Sequence, residues 1–98
     1  MLLISLSAAV LVALQPAPVA GTSATLVPPR VLEATLDGRR WSCDPQGACL
    51  GRGGGTTQPL MRECRRFVAR VGRVSAYARQ GLALTQAEIA QCNAGAGR

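Results

Sequence analysis

The sequence predicts an α+β fold, a small disulfide-stapled domain ordered β-hairpin, helix, short β-hairpin, short helix. Three observations carry this reading. Asp37-Gly38, a strong two-residue hairpin turn, separates two runs of strand-forming residues. An apolar stripe at helical spacing runs from Leu60 to Val71. Four cysteines stand in a chain of 98 residues that has one Trp, one Tyr and one Phe. A domain of this size buries only roughly 60% of the surface its unfolded chain exposes, so disulfides are the natural reinforcement.

The N-terminal run from Leu2 to Leu14 is apolar and uncharged. It fits the apolar region of a secretory signal, about 7 to 15 residues, better than the roughly 20 residues a membrane span requires. Gln15, Pro16 and Pro18 end it, and the small residues of Val19-Ala20-Gly21 and Thr22-Ser23-Ala24 offer cleavage positions. Residues 1–21 therefore read as a signal peptide cleaved between 20 and 24, with no transmembrane segment after processing, although only the Met1 amino group supplies its usual positive charge. Residues 22–30 have two adjacent prolines and no periodicity, and read as an extended lead-in to a single domain over 31–93. Residues 94–98 read as a frayed tail.

Within the domain, Val31 to Leu36 and Arg39 to Cys43 predict the first hairpin, carrying Trp41. Asp44-Pro45-Gln46-Gly47 is a turn that brings Cys43 towards Cys49, with a short third strand from Ala48 to Leu50. Gly51 to Gly55 reads as a flexible loop; a phosphate cradle is the weaker alternative, since no lysine is there to reach a phosphate. Pro59 suits a first helical position, capped by Thr57 or Gln58. In the helix that follows, Leu60, Met61, Cys64, Phe67, Val68 and Val71 share one side, while Arg62, Arg66, Arg70 and Arg73 form a stripe opposite. After Gly72, Val74 to Ala78 and Leu82 to Leu84 predict a second hairpin turning at Arg79-Gln80-Gly81. Thr85-Gln86-Ala87-Glu88 is a capping box opening a helix whose Ile89 and Cys92 face the core.

The spacing Cys43-x5-Cys49-x14-Cys64-x27-Cys92 allows three pairings in principle. The turn favours Cys43 with Cys49, and the inward faces of the two helices favour Cys64 with Cys92. Structural zinc ligands usually come in close pairs two to four residues apart; the chain has neither such a cysteine pair nor any His. No Cys-x-x-Cys redox spacing occurs.

With His absent, the acids are Glu33, Asp37, Asp44, Glu63 and Glu88. Asp37 belongs to a turn, Glu88 to a cap and Asp44 to the Cys loop, so no carboxylate pair is left to share a site. Ser75 and Tyr77 on the predicted strand read as surface or core residues. The expectation is a protein without catalytic residues, metal or cofactor. Its net charge of +6 comes from arginine alone and favours an anionic partner.

Trp41-x-Cys43 with a second cysteine shortly after it, Cys64-Arg65-Arg66-Phe67-Val68-Ala69-Arg70-Val71-Gly72, Val74-Ser75-Ala76-Tyr77, Gly81, Leu84 and Ile89-Ala90-Gln91-Cys92-Asn93 together resemble a family of small exported four-cysteine proteins of proteobacteria. The resemblance implies an exported state and a domain boundary, and carries no catalytic residue across. The functional expectation is a periplasmic or secreted, non-catalytic binding module of the cell envelope. Its stripe of Arg62, Arg66, Arg70 and Arg73 would meet a lipid headgroup or a polysaccharide rather than nucleic acid. The alternative is a small inhibitor presenting the Cys43–Cys49 loop.

Overall fold

A computed structural model describes residues 21–54 and 58–96; residues 1–20, and with them nearly all of the predicted signal peptide, lie outside it. The chain runs β1 (Thr22–Leu26), β2 (Leu32–Leu36), β3 (Arg39–Cys43), β4 (Ala48–Arg52), α1 (Leu60–Arg70), β5 (Val74–Arg79), β6 (Leu82–Ala83) and α2 (Gln86–Asn93). The strands form one six-stranded sheet, ordered β2-β3-β4-β1-β5-β6, with every pair antiparallel. The fold class is α+β, as the sequence predicts.

Local turn chemistry sets the hairpins. Asp37 and Gly38 both take positive φ, 52° and 81°, the type I′ combination whose twist matches the flanking strands. Gln80 and Gly81 repeat it between β5 and β6, at 51° and 83°. Between β3 and β4, Asp44 Oδ1 accepts from the amides of Gln46 and Ala48. This fixes the tight return that places Cys43 directly opposite Cys49.

The lead-in reading of residues 22–30 needs correction. Thr22–Leu26 is extended, but as an inner strand hydrogen-bonded to β4 on one side and β5 on the other. Thr22, Ala24 and Leu26 are buried, with Ser23 and Thr25 on the opposite face. Pro28-Pro29 therefore ends a strand of the domain rather than marking chain outside it. A strand of small and hydroxyl side chains carries little local signal, because the partners that hold it lie far along the chain.

Two boundaries also shift. Pro59 is the N-cap of α1, without a side-chain cap bond, and the helix starts at Leu60. The tail does not fray at once: Ala96 donates its amide to Asn93 and packs against the core. The capping box forms as predicted, Thr85 Oγ1 accepting from the Glu88 amide and Glu88 from the Thr85 amide.

Both helices pack on the same face of the sheet. The chain's three aromatic residues meet there, with ring centroids 4.6 Å apart for Trp41–Phe67, 5.7 Å for Phe67–Tyr77 and 6.1 Å for Trp41–Tyr77. Thr25 pairs with Ala76 but Leu26 with Val74, an irregularity that turns both Val74 and Tyr77 inward and leaves Ser75 and Ala76 exposed. The disulfides are Cys43–Cys49 and Cys64–Cys92. The chain-entropy argument credits loops of these sizes with roughly 2.4 and 3.6 kcal/mol. Asn93 adds a second tie between α2 and the sheet, accepting from the Val74 amide at 2.9 Å and donating to its carbonyl at 2.7 Å.

Candidate functional site

Beneath the aromatic cluster lies a polar centre that the sequence reading overlooked. Glu63 projects from the inner face of α1 and is 4% exposed. Its Oε2 accepts from Arg39 Nε at 2.9 Å, from the Tyr77 hydroxyl at 3.1 Å and from the Thr22 hydroxyl at 3.4 Å. Oε1 accepts from Arg79 Nη1 at 2.7 Å. A buried carboxylate persists only when paired and hydrogen-bonded, and here four donors from β1, β3 and β5 converge on it. Spacing signals this position: Glu63 lies three residues after Leu60 and four before Phe67, within the apolar stripe.

The two arginines reach beyond Glu63. Arg39 donates to the Gly53 carbonyl at 2.9 Å and Arg79 to the Gln58 carbonyl at 2.8 Å. One carboxylate thus orients the pair of guanidiniums that grip both stems of the connection from β4 to α1. Burial first, and then the nearby Glu63 charge, push the Tyr77 phenol above its ordinary range. With Glu63 fully engaged and Tyr77 held protonated, this centre is a tie between strands and helix.

The outer face of α1 is different in kind. Arg62, Arg65, Arg66 and Arg70 are exposed along it, and Arg73 continues the row beyond its end. Arg66 makes a two-pronged pair with Asp37, Nε to Oδ2 at 2.8 Å and Nη2 to Oδ1 at 2.9 Å, which holds the Asp37 carboxyl below the usual range. Among the described residues, Arg62, Arg65, Arg70 and Arg73 make no ion pair. Arg65 was missing from the predicted stripe, although its spacing of three from Arg62 places it on the flank of that row. Arg30 extends the basic region by donating to the Val71 carbonyl at the end of α1, at 2.6 Å.

The Cys43–Cys49 loop exposes Pro45, Gln46 and Ala48, whereas Gly47 is buried. The Gly47 carbonyl accepts from the Leu26 amide, and a Cβ at Gly47 would stand 2.7 Å from the Leu26 carbonyl oxygen. The loop is closed by its disulfide and the Asp44 bonds and lies against the domain at Gly47. Among the described residues no helix is long and apolar enough to cross a membrane.

Residues 6–94 match the model of a family of unknown function, DUF8200. The chain belongs to DUF8200. The match spans β1 to the end of α2, so the DUF8200 region includes the strand that the sequence reading left outside the domain. No curated protein and no solved structure matches the chain.

Proposed function

We propose that this DUF8200 member is an exported, non-catalytic binding module of the cell envelope, periplasmic or secreted, whose α1 outer face holds an anionic envelope component. The observation that carries the reading is the row of Arg62, Arg65, Arg70 and Arg73, all exposed and without an acid partner among the described residues. Like charges three and four apart on a helix destabilise it by about 0.2–0.5 kcal/mol per pair, a cost that an external anion relieves. Guanidinium suits lipid phosphate and acidic polysaccharide alike, through forked hydrogen bonds. The two disulfides support an oxidising compartment. The inhibitor reading ranks second, because Gly47 ties the Cys43–Cys49 loop back to β1 through the Leu26 amide rather than letting it project as a whole.

Sedimentation with anionic vesicles, neutral vesicles and an acidic polysaccharide tests the proposal. Binding to an anionic probe that weakens steeply with added salt, and is lost in an Arg62→Ala, Arg65→Ala, Arg70→Ala variant of unchanged melting temperature, supports it. Absent or salt-independent binding overturns it.

A further inference from the structure

The sheet has a second face, turned away from both helices, and it is not flat. A concavity of about 590 Å³ opens over β2, β3 and β4. Ser42, Ala48 and Leu50 line it, with Glu33 from the edge strand, and the register sets Arg40 and Arg52 together at one end. Asp44 borders the far end, where its Oδ1 is occupied by the amides of Gln46 and Ala48.

The arginine end is anomalous for a folded sheet. Arg40 and Arg52 are register partners on adjacent strands, and like charges directly opposite one another are destabilising. Among the described residues neither is paired with an acid, in contrast with Arg39 and Arg79, which both pair with Glu63. Glu33 sits opposite Ser42, one step along the same face, and makes no ion pair with Arg40. Arg40 and Arg52, directly opposed and making no ion pair among the described residues, suit a tetrahedral oxyanion at this end, while the carboxylates of Glu33 and Asp44 line the hollow farther along. The hollow is much larger than such an ion. Beyond the arginines it offers the apolar surface of Leu50 and Ala48, flanked by the Ser42 hydroxyl and the Glu33 carboxylate.

We propose that this concavity binds an anionic saccharide. The phosphate or sulfate ester sits between Arg40 and Arg52, the sugar ring lies over Leu50 and Ala48, and its hydroxyls bond to Ser42 and Glu33. The site is on the opposite side of the sheet from α1 and is independent of the α1 surface proposed above.

The test follows backbone-amide NMR shifts of the folded protein titrated with glucose 6-phosphate, inorganic phosphate, glucose and a sulfated dextran. Saturable shifts at Ser42, Leu50 and Arg52 with glucose 6-phosphate, weakened about tenfold or more by Arg40→Ala and by Arg52→Ala, support the site. Those variants keep or slightly raise the melting temperature, because they remove a repulsive pair. Shifts that persist in the α1 triple variant separate this site from the helix surface. The same response to the sulfated dextran identifies a polymer-borne saccharide; a response to glucose 6-phosphate alone identifies a free one. No shifts on β3 and β4, equal affinity for inorganic phosphate and glucose 6-phosphate, or unchanged affinity in both arginine variants overturns the proposal.

Discussion

The Tyr77 hydroxyl donates to Glu63 Oε2 across 3.1 Å, joining β5 to α1 at the centre of the molecule through a phenol that burial and the adjacent carboxylate keep protonated. The folded-state pKa lies above the unfolded value of about 10. The stability linked to Tyr77 is therefore fully present below pH about 10 and is lost as pH rises past it, because only the unfolded chain releases the proton. The sequence has no lysine and a single tyrosine, its cysteines are disulfide-bonded, and arginine stays charged, so Tyr77 dominates the alkaline limb. Urea midpoints should stay level towards pH about 10 and then fall, with phenolate absorbance rising together with unfolding. Phenolate formation near pH 10 in an intact fold would contradict this account.

Removing the acceptor strands the buried guanidinium of Arg39 and the half-buried one of Arg79. Glu63→Ala should destabilise by about 3–5 kcal/mol, the cost of leaving a buried charge unpaired, and Glu63→Gln by less, because a neutral acceptor oxygen remains. Chemical denaturation measures both. A loss below about 1 kcal/mol for the alanine variant would mean that Arg39 and Arg79 find water instead.

Gly51 faces Trp41 across β3 and β4, and a Cβ there would meet the indole ring at 2.8 Å. Gly51→Ala must displace the largest core side chain, so a loss of about 1–3 kcal/mol is expected, with an altered Trp fluorescence spectrum. An unchanged spectrum and melting temperature would show that Trp41 packs elsewhere.

The fold bears on processing. Thr22 is fully buried, and the Gly21 carbonyl accepts from the Gln80 amide. If the chain is exported as proposed, cleavage after Ala24 would remove the first half of an inner strand. N-terminal sequencing of protein recovered from the periplasm should therefore start no later than Gly21. A start at Thr25 with a native melting temperature would refute the role assigned to β1.

Much of this architecture is written in local chemistry. Asp37-Gly38 marks its turn because it tolerates positive φ, Thr85 and Glu88 mark a helix start, and the cysteine pairing follows from one turn and two inward helix faces. Glu63 and Arg39 were legible too. Glu63 falls within the helical stripe of Leu60 and Phe67, and Arg39 precedes Trp41 by two on one strand, which puts both on the inner face. A charged residue at an apolar position is easily assigned to solvent when its partner lies on another element.

By itself, the sequence determined the fold class, both hairpins, both helices and the two disulfides, because each depends on backbone preferences or spacings within a few residues. Only the tertiary structure decided that Thr22–Leu26 is the strand joining β4 to β5, and that Arg39, Tyr77 and Arg79 close on Glu63. It alone set Arg40 against Arg52 over an open hollow. The first two are pairings between segments distant in the chain, held by cross-strand register and shared burial, quantities with no signature in any one stretch of sequence; the third depends on the register across the β3–β4 turn and on which side chains that register turns outward.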